Sequence, residues 1–418
     1  MKRIAIKQQP WTKDSTARRQ ATLALQKKAR RDLTMHARHL ALHAEYLYLD
    51  GRDEDTQLVN NVTSAASKRQ NRENRVKQRR EHFSKQLMTP EWLVDIPSDI
   101  NGSGSTYGEG WYVLPRPEGK RCLVVANGGK TTARTPSGCI LKKFPSTLPC
   151  GSYKTNKSTE GYCILDCIYQ EQDETFYVLD VMCWKGYLLY NCTSEFRQYW
   201  MRDKLSEEST ASVSSANPFL ILPLPYYECD QAGIMTAYST NYRFVKSVQD
   251  RLGTVSLIHS QISANLSLCH RDGLLFYMKA GHYETGLSPL ALAWKDARTS
   301  RFFIISSKPS IVLRLERGNE FVTLECIVLF ACDQDFIQQQ ELSDGDLACF
   351  NFERHNVDGN RSPYLANLTF VKRCSPQRAL PDSWTKILFQ QKAQSGGITI
   401  ERILQASQNS ITQIEMEA

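Results

Sequence analysis

Between Gly110 and Thr135 the chain, GWYVLPRPEGKRCLVVANGGKTTART, places a β-rich run, a glycine turn and a cluster of cations in quick succession. Arg116, Pro117, Glu118, Gly119, Lys120 and Arg121 make the turn. A few residues on, Gly128-Gly129-Lys130-Thr131-Thr132-Ala133-Arg134 offers backbone and side-chain donors to phosphates or a base. A primary amine at position 116 could attack a phosphoryl group, whereas a guanidinium, with a pKa above about 12, cannot be deprotonated into a nucleophile. The expectation is a pocket that holds a nucleotide without transforming it.

The elements that must position these residues are short β-rich runs broken by Gly, Pro and Asn. From Trp111 to about Lys295 they read YVLP, CLVVA, GYCILDCIYQ, TFYVLDVMCWKG, DGLLFYMK and PLALAWKD. Two internal runs, 196–205 and 241–252, have helical composition. This spacing predicts an α+β fold whose body is built of packed, mainly antiparallel sheets with the site between them. Further strand-like runs between Arg301 and Arg373, then runs of helical composition over 383–394 and 398–407, predict a β-rich C-terminal extension with a helical tail.

The N-terminal part differs in kind. From Lys13 to Asp50 there is neither Pro nor Gly, and Ala, Leu, Arg, Lys and Gln dominate, which predicts one long helix capped by Asp14 or Ser15 and ended at Gly51. Arg18, Arg19, Lys27, Lys28, Arg30, Arg31 and Arg38 fall around several of its faces, so the helix has little to bury against its own domain and should order fully only on a partner. A polar stretch with an acidic patch at Asp53–Asp55 follows, the composition of a flexible linker. The expected organisation is an arm over 1–50, a linker over 51–80, a body over 81–300 and the extension over 301–418.

Composition, 41% hydrophobic and 23% charged over 418 residues, is that of an ordinary soluble protein of two or three domains. Residues 1–90 hold 20 Lys/Arg against 9 Asp/Glu, a net of +11 out of a total of +8, which leaves −3 for the remainder. Such an arm calls for an acidic partner, nucleic acid or protein. The 13 cysteines are scattered through apolar contexts without zinc-site spacing, so they read as reduced thiols, with no metal and no cofactor expected. No signal-like or membrane-length apolar run occurs, which places the chain in cytoplasm and nucleus without a membrane partner.

Four motifs resemble those of covalent nucleotidyltransferases such as capping guanylyltransferases and nucleic-acid ligases. Arg116 stands at the lysine of their Lys-x-Asp-Gly-x-Arg. Leu165-Asp166-Cys167-Ile168 stands at their Leu-Asp-Gly-Glu, with Ile168 at a metal-associated glutamate. Asp272-Gly273-Leu274-Leu275-Phe276 and Leu292-Ala293-Trp294-Lys295 resemble their Glu-Gly-Leu-x-Phe and Leu-Lys-Trp-Lys. Losing nucleophile, metal ligand and a phosphate-binding lysine together removes the electrostatics that phosphoryl transfer depends on.

The surviving pattern is closest to the snurportin family. It rests on Arg18–Leu42, on Glu91–Pro97, and on TFYVLDVMCWKG, FRQYWMRDKL and HYETGLSPLALAW. The resemblance implies a non-enzymatic nuclear import adaptor, whose arm binds importin-β and whose body binds the trimethylguanosine cap of spliceosomal small nuclear RNA, shuttling between cytoplasm and nucleus. It also implies recycling by an exportin, although only about a dozen residues precede the basic helix, where the family has an extended acidic and apolar N-terminus.

A guanine methylated at N7 is cationic and stacks on an indole, while dimethylation of N2 removes both exocyclic donors. From the resemblance, Trp294 is the first candidate for the stacking ring and Trp111 the second. Thr132, Ala133 and Arg134 would serve cap or phosphates, and Glu109, Lys143 and Leu148 are placed by register. Of seven tryptophans most must be core, Trp184 and Trp200 among them. An active guanylyltransferase or ligase and a general RNA-binding protein are the competing readings.

Overall fold

The computed structural model describes residues 14–28, 31–46, 78, 80–103, 110–153, 161–239, 271–303, 309–353, 366–375 and 380–416. Most of the expected linker and the expected helix at 241–252 lie outside these residues.

Two sheets make the body. The first runs β1 (Met88–Trp92), β12 (Gly286–Trp294), β11 (Arg271–Met278), β2 (Trp111–Pro117) and β10 (Tyr227–Glu228), antiparallel except for the β1–β12 pair. The second runs β5 (Ile140–Phe144), β4 (Lys130–Arg134), β3 (Lys120–Asn127), β6 (Cys163–Gln170), β7 (Thr175–Trp184) and β8 (Tyr187–Leu188), with β9 (Leu220–Pro223) parallel to β7. Period-two alternation sorts side chains between faces. Tyr112, Leu114, Leu275, Tyr277, Ala291 and Ala293 meet Leu123, Val125, Ile164, Ile168, Tyr177 and Leu179 between the sheets. Their strand neighbours point outward. Trp111, Val113, Phe276, Leu292 and Trp294 form a cluster over the first sheet, and Cys122, Val124, Leu165 and Val178 another over the second.

Two helices cover those outer faces: α3 (Ser194–Glu207) seats Met201 and Leu205 on the second sheet, and α4 (Gln231–Ser239) seats Ile234 and Ala237 on the first. α3 begins at Thr193, whose hydroxyl accepts from the Phe196 backbone N–H.

The C-terminal part forms a third, wholly antiparallel sheet. Its order is β15 (Val328–Ala331), β14 (Glu320–Val322), β13 (Ser310–Glu316), β16 (Leu347–Glu353) and β17 (Ala366–Arg373), with α5 (Gln334–Gln339) between β15 and β16. A three-strand meander whose first strand pairs the fourth, with a helix between third and fourth, has the connectivity of a five-stranded oligonucleotide-binding barrel. Among the described residues β15 and β17 do not pair, so the barrel is open there. The tail does not respect a boundary at residue 300. α6 (Trp384–Gln394) places Ile387 in the core of the third sheet and Phe389 against the body, while α7 (Ile400–Met416) seats Ile400 and Ile403 on the first sheet.

The arm departs from the expectation twice. It is two helices, α1 (Ser15–Lys28) and α2 (Thr34–Tyr46), because the Asp32 carboxylate accepts from the Thr34 backbone N–H and caps a second start. It also packs on its own body. Leu23 enters the cluster over the first sheet, and Ala37 and Leu40 enter the core between the sheets. The narrow stripe Ala37, Leu40, Ala41 at helical spacing suffices to bury one face among otherwise polar residues.

Candidate functional site

Arg116 is the next-to-last residue of β2, beside β11, and the nearby glycines 119 and 273 are required by geometry. A Cβ on Gly119 would lie 2.5 Å from the Tyr169 carbonyl oxygen, and one on Gly273, at φ +99°, 2.2 Å from that of Trp294. The Arg116 guanidinium pairs with the Asp272 carboxylate (Nη1–Oδ2 3.1 Å), whose other oxygen takes the Lys295 ammonium at 3.1 Å and the Ser300 hydroxyl at 2.5 Å. Burial pushes the Asp272 carboxyl upward, but Arg116, Ser300 and Lys295 outweigh it and hold the group below the usual carboxylate range. Burial lowers Arg116 and Lys295 against the opposing pull of Asp272. Arg116 is therefore engaged in an ion pair.

Deeper in the body, Arg121 binds Asp166 through two hydrogen bonds (3.0 and 2.6 Å), and the Tyr283 hydroxyl donates to the same carboxylate at 2.8 Å. Arg197 holds Asp180 bidentately at 2.8 Å for both bonds, with both side chains almost fully buried. These pairs tie the two sheets and α3 together.

The expected stacking face is closed. Trp294 and Trp111 are each 1% exposed, core residues of one cluster, and do not stand at a pocket edge. The Trp294 indole N–H donates to the Ile398 carbonyl (2.8 Å) beneath α7. That of Trp111 donates to Asp99 (3.2 Å), and the Arg19 guanidinium lies 5.8 Å from the Trp111 ring centre. Trp294 shares its strand face with Leu290 and Leu292, a period-two signal present in the sequence that pointed to packing.

Thr132, Ala133 and Arg134 are not loop residues but buried members of β4. Arg134 lies over the Phe83 ring at 3.9 Å and donates to the Gly138 carbonyl at 2.9 Å. Ala133 and Leu148 belong to the core over the second sheet, on the other side of the body from Trp294. Lys143 is exposed on β5, opposite Thr132. Glu109 lies outside the described residues. Among the described residues the structure thus does not bring Thr132, Ala133, Arg134, Lys143 and Leu148 together with the tryptophans, while it does bring Arg116, Asp272 and Lys295 together.

Of the arm's basic residues, Arg18 pairs with the buried Glu91 (2.8 Å), and Arg19, itself buried, donates to the Asp95 carbonyl (3.3 Å). Arg31 pairs with Glu284 at 3.1 Å. Lys27, Lys28 and Arg38 are exposed, and Arg30 lies outside the described residues.

A cleft of about 590 Å³ separates the body from the C-terminal sheet and contains the Arg116–Asp272–Lys295 cluster. It also takes in Lys386 from α6 and Phe302, which is 57% exposed. Sequence reasoning missed both, since nothing local marks them and they reach the cleft only through the packing of α6 and the turn after β12.

Fold and paired charges define an α+β protein of packed, mainly antiparallel sheets in which Arg116 is charge-paired with Asp272. Residues 86–248 match the family model described as Snurportin1, m3G cap-binding domain. The match spans less than half of the chain and leaves out the arm and the C-terminal sheet. Among solved structures, a mycobacterial DNA ligase D complexed with ATP and MES is 10% identical, covering 71% of this chain and 99% of that one, with a TM-score of 0.30. A Chlorella virus DNA ligase-adenylate is 14% identical, covering 69% and 98%, with a TM-score of 0.29. Superpositions this loose establish no common geometry.

Proposed function

We propose that the chain is a non-enzymatic adaptor that holds trimethylguanosine-capped small nuclear RNA through its body and importin-β through its arm, carrying the particle into the nucleus. The family match over 86–248 carries this reading. Arg116, in an ion pair and unable to act as an amine nucleophile, supports binding over transfer. Stacking of the cap on Trp294 would require the segment from Ile398 to Ile403 to leave the ring. Gly396 and Gly397, both at positive φ just before it, are suited to act as the hinge. Shuttling between nucleus and cytoplasm, with an exportin for the return, belongs to the same proposal.

The arm offers a test in which the residues divide by their contacts. Lys27→Glu, Lys28→Glu and Arg38→Glu together should abolish capture by importin-β and leave the melting temperature unchanged, because these side chains are exposed. Arg18→Glu should instead lower the melting temperature, since it faces the buried carboxylate of Glu91. Undiminished capture by the triple variant would refute the importin-β assignment.

A further inference from the structure

The arm carries cations on several faces, and the body already engages some of them. Arg18 meets the carboxylate of Glu91, a residue only 2% exposed, and Arg31 meets Glu284 at 3.1 Å. Arg19 is buried with its guanidinium on the Asp95 carbonyl, and the Asp95 carboxylate takes the Ser15 hydroxyl at 3.1 Å. The contact is specific as well as electrostatic. The buried Gln26 side chain accepts from the His282 backbone N–H (2.9 Å), and the amides of Asn191 and Asn127 donate to the Arg31 and Ala41 carbonyls (2.7 and 3.1 Å), which fixes both helices in register on the body. The apolar part is small, Leu23 on α1 and Ala37, Leu40 and Ala41 on α2. Neither helix adds a strand to a sheet, so the arm can leave with both sheets of the body intact.

An acidic receptor that draws on the arm's cations needs the same guanidiniums. Arg18 and Arg19 cannot face the body and a receptor at once. We propose that the body carries an arm-binding surface, centred on Glu91, Asp95 and Glu284, that competes with importin-β for the arm, so that the docked arm and the receptor-bound arm exclude each other. This inference rests on the importin-β reading of the arm. Importin-β then captures only the undocked fraction, and its apparent dissociation constant is the intrinsic one divided by that fraction. A change on the body that frees the arm therefore tightens capture although it alters no residue of the arm. The apolar surface that α2 uncovers on β3 and β6 favours redocking once the receptor lets go.

The experiment compares the full chain with Glu91→Gln, Glu284→Gln and the double variant, which remove charge from the body and leave the arm's sequence untouched. Hydrogen exchange of the backbone amides in α1 and α2 reports docking, and titration with importin-β reports capture. In the wild type the arm amides should be protected. In the double variant they should exchange about tenfold faster while those of β7 stay as slow as before, the sign that the body remains folded, and affinity for importin-β should rise by a similar factor. A wild-type arm that exchanges like a free chain, or one that ignores both substitutions, would overturn the proposal. Faster exchange with unchanged affinity would also overturn it, while leaving importin-β as the receptor. Protected arm amides in a chain that importin-β does not bind, wild type and variants alike, would remove the receptor assignment itself and the competition with it.

Discussion

Trp294→Ala is expected to destabilise the fold by about 3–5 kcal/mol, the range for emptying a large aromatic from a packed core. The ring is almost fully buried among Leu290, Leu292 and Ile403, and removing it also leaves the Ile398 carbonyl without its indole donor. Denaturant titration should move the midpoint with the slope unchanged. Trp294→Phe should recover much of the loss. A change below about 1 kcal/mol would mean that α7 does not seal this face in solution, since surface truncations fall in that range. The folded fraction of the alanine variant also reports on the cap. If it binds trimethylated cap as wild type does, stacking takes place elsewhere.

Arg197→Ala should be as severe, about 3–5 kcal/mol, because it strands the carboxylate of Asp180 in the interior. The same guanidinium donates to the carbonyls of Cys192 (2.6 Å) and Gly281 (3.1 Å), so its loss also loosens the start of α3 from the turn after β11. Replacing the pair together, Arg197→Met with Asp180→Leu, removes the stranded charge and should recover most of the stability. A double variant no better than Arg197→Ala would show that the arginine acts chiefly through those two carbonyls and that the ion pair matters little.

How far the sequence revealed this molecule depended on the range of the interactions involved. The strands of the body were legible because β-branched and aromatic runs alternate between turn residues, a local signal. Arg116 and Asp272 were legible as a motif order, and the structure places them 3.1 Å apart. The burial of Trp294 was half legible. Its alternation with Leu290 and Leu292 indicated packing, but what covers it, Ile398 and α7, lies about a hundred residues away in sequence. The arm was misread for the same reason. Seven cations obscure the few apolar residues, Leu23, Ala37, Leu40 and Ala41, and only the partner surface shows that these suffice to dock it. Lys386 and Phe302 come to line the same cleft as Arg116 through tertiary packing alone.

The most direct measurement is the affinity of the full chain for a trimethylated and for a monomethylated cap dinucleotide under identical conditions. Both bases are cationic through N7 methylation and both can stack, so the comparison isolates the N2 edge, where dimethylation replaces two donors with apolar surface. The account predicts that the trimethylated dinucleotide binds about tenfold more tightly or better, a difference of at least ~1.4 kcal/mol. Equal affinities, or a preference for the monomethylated dinucleotide, would contradict it.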